Sequence, residues 1–278
     1  MKILHTLAQL PAMTGSGIYF SVLIEGLNKL GHENAALYAV QDDFSFDSAD
    51  NIKKYELKFK SKDIPFPIAG MSDEMPYDST VYSKMSEHDY EVWINNFKEK
   101  LLHIKEHFDP DIIIAHHVFI LSSLVCEVFA DKKIITLSHS TDVRQLMKNP
   151  WILEKYMPHI KEADECICVS LNDADSIVNK IGIDKDRLKV YGGGFRQDIF
   201  YQSDTKKEDD IIRLLYVGKI SPSKGIYELV QAFPKLNEKY EGLEFHIVGN
   251  CDKDQSEELS KLSEYATNMH IHSTMPQN

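Results

Sequence analysis

With 278 residues, of which 43% are hydrophobic and 27% charged, the chain has an ordinary soluble globular composition and enough length for two cores. A net charge of −12 gives a nucleic-acid partner no electrostatic support. No apolar run approaches the roughly 20 residues that a bilayer-spanning helix needs.

In chain order the pattern alternates strand and helix. Lys2 to Leu7 is a short apolar run; the stretch from Ile3 to Met13, broken by His5, Gln9 and Pro11, reads as a buried first strand and not as a signal peptide. After a glycine loop, Ile18, Val22, Leu23, Leu27 and Leu30 share one helical face, with Gly31 placed to cap the end. Asn34 to Val40 is the next strand. Residues 41 to 85 lose periodicity and read as a long functional or mobile insertion. Ser86 with Asp89 forms a capping box for a helix through His107. Asp111 to Ala115 is a strand buried on both faces. A helix over Phe119 to Phe129, a strand Lys133 to Leu137, a helix after Pro150 and a strand Glu165 to Val169 follow. Ser170 or Asn172 caps a helix to Ile181, and Arg187 to Tyr191 is a short strand.

Gly192-Gly193-Gly194 and the polar stretch Gln202 to Asp210 mark a domain boundary, which divides the chain into domains 1–200 and 201–278. Alternation resumes with a strand Ile212 to Val217, a helix Lys224 to Tyr240, a strand Leu243 to Val248, a helix near Ser256 to Ala266 and a strand Met269 to His272. Repeated strand–helix–strand units predict α/β architecture with parallel, doubly wound sheets. Ligands of such sheets sit beyond the carboxyl ends of the strands. The four cysteines, Cys126, Cys166, Cys168 and Cys251, lie in apolar patterns and read as reduced core thiols of a cytoplasmic protein.

The loops carry the chemistry. Gly15-Ser16-Gly17 opens a helix, where free amides and the helix dipole favour an anion. The third glycine of a dinucleotide fingerprint is missing and no acidic residue ends the second strand, which disfavours NAD; a turn serving geometry alone is the alternative. Lys219 follows a strand-ending glycine, and Lys224 is expected in the first turn of the next helix, where a cation opposes the dipole unless an anion compensates. Solvated surface lysines are the other reading of that pair. His139, just past a strand, is placed to contact a sugar hydroxyl or move a proton, or else to serve structure. Arg144 is either a partner for an acidic or phosphorylated group or an ordinary surface arginine. Asp173 and Asp175 fit the first turn of a capped helix better than a metal site, and His116-His117 lacks a third ligand, so no metal is expected.

These segments in this order, with Asp111 to His117, Arg196, Asp198, Phe200 and Ile247-Val248-Gly249, resemble the large retaining glycosyltransferase family of the GT-B fold often called family 4. The resemblance implies two Rossmann-like domains facing a cleft: an acceptor-side domain over 1–200 and a nucleotide-sugar domain over 201–278. It implies that the amides of Gly15, Ser16 and Gly17 face a donor diphosphate, that Lys219 and Lys224 neutralise it, and that His139 contacts the transferred sugar. It also implies that Gly249 lines the nucleotide pocket, that Met275 approaches the base, and that Asp142 and Arg144 lie toward the acceptor. The expected donor is a UDP-sugar, and the expected acceptor a glycan or lipid-linked glycan, with possible peripheral membrane contact. No cofactor is implied beyond that substrate. The family's paired-glutamate segment has no counterpart here, so the second domain is expected to be incomplete, with weak donor affinity and poor stability unless a further segment, a second copy or another subunit completes it. The alternative is a non-catalytic glycan- or partner-binding subunit derived from such an enzyme; a sugar-nucleotide epimerase is a third, remoter reading.

Overall fold

The computed structural model describes residues 1–46, 52–72, 74–202, 210–218, 220–249, 255, 257–259, 261 and 268–273. The chain divides into two compact units, Met1–Gly193 and Gly194–Asn278. The division falls inside the glycine triplet, ahead of the limit at residue 200 expected from sequence.

The first unit opens with β1 (Lys2–Leu7), α1 (Gly15–Lys29), β2 (Glu33–Val40) and β3 (Lys53–Lys58), then a two-stranded pair, β4 (Ala69–Gly70) and β5 (Thr80–Val81). It continues with α2 (Glu87–His107), β6 (Ile112–His116), α3 (Ile120–Val128), β7 (Lys133–Leu137), α4 (Thr141–Lys148) and α5 (Trp151–Tyr156). Last come β8 (Glu165–Cys168), α6 (Leu171–Ser176), which runs into a π-helical turn Ile177–Ile181, and β9 (Leu188–Val190). The main sheet has the order β3-β2-β1-β6-β7-β8-β9, every pair parallel.

Both faces of that sheet are covered, which explains its near-continuous apolar strands. Leu4, Leu37, Ile113 and Ala115 belong to a core that includes Trp93, Phe97, Leu101 and Ile104 of α2 and Leu124 and Val125 of α3. Fully burying a side chain of this size stabilises by about 1.5–3 kcal/mol. On the opposite face Leu7, Ala36 and Tyr38 meet Phe20 and Ile24 of α1. The Ser86 hydroxyl accepts from the Asp89 amide while the Asp89 carboxylate accepts from the Ser86 amide, which starts α2 where the capping box predicts.

Two segments depart from the sequence reading. The stretch 41–85 is not without regular structure: β3 adds to the sheet edge beside β2, and Phe59, Ile64, Ile68 and Met71 join the core. An edge strand needs one apolar row, and Tyr55 with Leu57 among three lysines and a glutamate is too short a row to stand out. The helix α4 also went unread; it buries only Val143 and Leu146 as apolar residues and starts behind Ser140 at φ 66°.

The second unit has a parallel three-stranded sheet of β10 (Ile212–Val217), β11 (Leu243–Val248) and β12 (Met269–His272), in that order. The helix α7 (Ile226–Lys239) packs Ile226, Val230 and Phe233 on Leu243, Phe245, Ile247 and Met269. It begins at Ile226 instead of Lys224, because Gly225 at φ 69° separates it from a 3-10 turn over Pro222–Lys224. Of the expected helix over Ser256 to Ala266, residues 257–259 and 261 are helical; its other residues, and Cys251, lie outside the described residues.

Candidate functional site

In the first unit the strand order reverses between β1 and β6, whose neighbours run outward in opposite directions from there. That is where a doubly wound sheet opens a crevice at its carboxyl ends. A cavity of 590 Å³ lies there, lined by Gln9 after β1, Thr14 to Ser16 and Tyr19 of the α1 entry, Met71, Ser72 and Met75, His139 and Thr141 after β7, Val169 after β8 and Gly193. A larger groove of 920 Å³ runs along β3 and α2 at the sheet edge, lined by Glu56, Lys58, Glu99 and His103. It has no glycine turn and no helix start, so the smaller cavity is the better candidate.

The two glycines at the cavity do different work. Thr14 is the N-cap of α1, and its hydroxyl accepts from the Gly17 amide at 3.0 Å. That amide is therefore taken. A Cβ on Gly17 would stand 2.6 Å from the Ala12 nitrogen and 2.8 Å from the Leu10 carbonyl, so Gly17 is there for close packing of the loop on the helix. Gly15 has nothing within 4 Å of its Cβ direction. Gly15 and Ser16 hold the first two helical positions, whose amides have no partner in the helix ladder. With no acidic residue in this turn, the positive end of a 15-residue helix faces the cavity uncompensated. Of the three amides expected to meet an anion, Gly15 and Ser16 remain.

His139 and Asp142 are brought together, in unequal roles. Asp142 is fully buried. Its carboxylate accepts from the Val118 amide at 2.7 Å, the Ser138 hydroxyl at 3.0 Å, the Val143 amide at 3.0 Å and the His139 amide at 3.2 Å. Burial pushes its carboxyl up from the ordinary range, against the pull of these donors and of His139. It ties the loop after β7 to the loop after β6. The acceptor contact expected of Asp142 is thus corrected: its oxygens are occupied by protein donors. Arg144 is exposed on α4.

His139 is half-buried, with Tyr19 edge-on at 5.4 Å and His117 at 5.0 Å between ring centroids. Its Nε2 meets Nδ1 of His116 at 3.1 Å. Burial, with His117 nearby, pushes its imidazole down to about 3; burial pushes His5 down to about 4, His117 to about 3 and His116 well below the usual value. All four rings are neutral at pH 7. His5 bonds Asn34 Oδ1 through Nε2 at 3.1 Å.

Sequence reasoning missed Gln9, Tyr19 and Thr141. Gln9 left a signal, a buried polar residue breaking an apolar run: its Oε1 accepts from the Ser16 hydroxyl at 3.2 Å, and its Nε2 is buried without a hydrogen-bond partner. Met71, Ser72 and Met75 were marked only as part of the 41–85 insertion, with nothing to single them out within it.

In the second unit Lys224 is exposed at the end of its 3-10 turn. A Cβ on Gly249 would stand 2.0 Å from the Gly218 carbonyl oxygen. That glycine lets the ends of β10 and β11 approach, a packing duty that sequence did not predict. Lys219 and Met275 lie outside the described residues. Cys126, Cys166 and Cys168 are free and buried, and burial pushes the Cys166 thiol up to about 12, as inert core thiols require. Among the described residues no group of three His, Cys, Asp or Glu is arranged to hold a metal ion, and no helix is long and apolar enough to cross a membrane.

Two parallel-sheet units, one with an anion-suited helix start at its switch point, define a Rossmann-like α/β class of fold. Residues 13–196 match the family model Glycosyltransferase Family 4, and residues 197–278 match Glycosyl transferases group 1. The chain belongs to glycosyltransferase family 4, with the GT-B type of fold. Among solved structures it is similar to a glycosyltransferase from Rickettsia africae, at 14% identity and TM-score 0.65 over 99% of this chain and 69% of that one. It is similar to a sucrose-phosphate synthase from Thermosynechococcus elongatus, at 17% identity and TM-score 0.64 over 100% and 71%. It is also similar to a trehalose-6-phosphate protein from E. coli bound with UDP-2-fluoro glucose, at 12% identity and TM-score 0.65 over 99% and 74%. At these identities the likeness is one of fold. No curated protein matches the chain in sequence.

Proposed function

We propose that the protein moves a sugar from a nucleoside-diphosphate donor, a UDP-sugar, to a glycan or lipid-linked acceptor, with retention of configuration and without a metal ion. The observation that carries this reading is the uncompensated start of α1 opening, at Gly15, onto a cavity that a neutral His139 also lines. The UDP-sugar in the E. coli neighbour supports the choice of donor.

In this mechanism the bond between the anomeric carbon and the diphosphate oxygen breaks, and negative charge gathers on the leaving diphosphate. The Gly15 and Ser16 amides stabilise it, and Lys219 and Lys224 add positive charge. Each preorganised donor contributes on the order of 3 kcal/mol. His139 hydrogen-bonds a hydroxyl of the transferred sugar. The acceptor hydroxyl attacks the anomeric carbon from the face the diphosphate leaves, and its proton passes to a diphosphate oxygen. Arg144, exposed beyond β7, is the candidate contact for an acidic or phosphorylated acceptor group.

The test incubates the protein with UDP-glucose, UDP-galactose, UDP-N-acetylglucosamine and GDP-mannose in EDTA and follows nucleoside diphosphate release. With one of the UDP-sugars, release is expected, and Lys219→Ala combined with Lys224→Ala abolishes it. Any oligosaccharide product is expected to keep the donor's anomeric configuration by proton NMR. Donor binding without release from any sugar would return the binding-subunit reading; release that needs a divalent ion would overturn the metal-free mechanism.

A further inference from the structure

We propose that His116 is a positioning residue for His139, holding it in the tautomer that carries its proton on Nδ1, so that the ring offers the cavity a donor. The inference deepens the sugar contact assigned to His139 and rests on that reading for its functional consequence alone.

His116 is the last residue of β6, and its neighbour across the β6–β7 ladder is Leu137, two residues before His139. The sheet therefore sets the two imidazoles side by side. Their planes are inclined by 15°, their centroids are 5.3 Å apart, and Nδ1 of His116 lies 3.1 Å from Nε2 of His139. That centroid separation is close to the hydrogen-bond length plus the two ring radii. The rings thus meet edge to edge nearly in one plane, the geometry of an N–H···N bond and not of face stacking.

Each neutral imidazole has one proton, and only one can lie between them. His116 Nε2 is buried and has no hydrogen-bond partner. With its proton there, His116 would bury an unpaired N–H, the rarest kind of orphan in a folded protein. With its proton on Nδ1, the N–H is satisfied by His139 and only a lone pair stays unpaired. His116 therefore donates and His139 accepts through Nε2, which puts the His139 proton on Nδ1. The Asp142 bond to the His139 amide and the Tyr19 and His117 rings hold the imidazole in that orientation.

Long-range proton–nitrogen correlation spectra of the full chain labelled with 15N-histidine read the tautomer without any substrate. The expected result is a His139 signal with Nδ1 protonated, and a change to the Nε2-protonated form in His116→Phe, which keeps a ring but deletes the donor. His116→Asn, whose amide can donate from about the same place, restores the first pattern. Donor cleavage is expected to fall by about tenfold to a hundredfold in His116→Phe, mainly in kcat, and to recover in part in His116→Asn, the range that outer partners of functional histidines carry. An Nε2-protonated His139 in the unmodified protein would overturn the proposal, as would a tautomer unchanged by His116→Phe. If His116→Phe does not fold, the unmodified spectrum and His116→Asn still decide. A correct tautomer in a protein that cleaves no donor would leave the proposal standing and remove the transferase reading.

Discussion

Mild acid should weaken the first unit far more than carboxylate titration can. His5, His116 and His117 are buried with their imidazoles pushed below the ordinary value, His5 to about 4 and His117 to about 3, while the unfolded chain titrates near 6.5. Below about pH 6.5 the unfolded state binds protons that the native rings refuse, so stability is full above that pH and falls as acid is added. The loss continues until the native rings titrate, near pH 4 for His5 and pH 3 for His117. The slope approaches about 1.4 kcal/mol per pH unit for each histidine; between pH 7 and 5.5 the loss is about 1 kcal/mol each for His5 and His117, and His116 adds to it in the same direction. A domain's whole stability is about 5–15 kcal/mol. Asp142, raised by burial, has the opposite sign: it favours the native state as its carboxyl takes up a proton. Both tryptophans, Trp93 and Trp151, lie in the first unit, so urea unfolding followed by tryptophan fluorescence reports that unit alone. His117→Asn isolates one share, since asparagine tolerates the φ of 70° at that position and does not titrate. The pH sensitivity should drop by about 1 kcal/mol in that variant. An urea midpoint that does not move between pH 7 and 5.5, or an unchanged slope in His117→Asn, would refute the buried neutral cluster.

The two glycines of the α1 entry should separate in experiment. Gly17→Ala drives a Cβ into the Ala12 and Leu10 backbone and should lower stability by roughly 1–3 kcal/mol in the same urea assay. Gly15→Ala has open space and should leave stability unchanged or raised by up to about 1 kcal/mol, while weakening UDP binding in a calorimetric titration. Asp142→Ala strips the acceptor from three backbone amides and a hydroxyl, and with each buried donor left unpaired costing about 1–3 kcal/mol it should cost about 3 kcal/mol or more; a cost under 1 kcal/mol would show that solvent reaches those donors. Gly249→Ala should destabilise the second unit, seen as a lowered calorimetric transition with no change in the tryptophan signal.

The fold was legible where apolar residues run nearly unbroken through a strand or where helices are long. Lys133–Leu137, Ile212–Val217, Leu243–Val248 and Met269–His272 have the bounds their apolar runs predict, and α2 begins at its capping box. Legibility failed where apolar residues are few and set among charged ones. The edge strand β3 and the helix α4 each carry two apolar anchors, too few for any period to show. Their existence is decided by neighbours: β2 supplies the ladder for one, and the Asp142 hydrogen bonds supply the start of the other.

The site shows the same limit in chemical form. A glycine in a loop says that a side chain is absent and not why: Gly15 leaves room beside a cavity, whereas Gly17 and Gly249 leave room for the chain itself. An aspartate beside a histidine likewise suggests a pair of functional groups, yet here one is the fixture that aims the other. The His116–His139 bond was hidden because the two residues are 23 apart in sequence and meet only once β6 and β7 lie in register. His116 was visible earlier only as half of a His-His doublet without a third ligand. Register gives it a partner: neighbouring strands aim one imidazole edge at another, and Nδ1 of His116 meets Nε2 of His139 at 3.1 Å, a contact that no spacing in the sequence could announce.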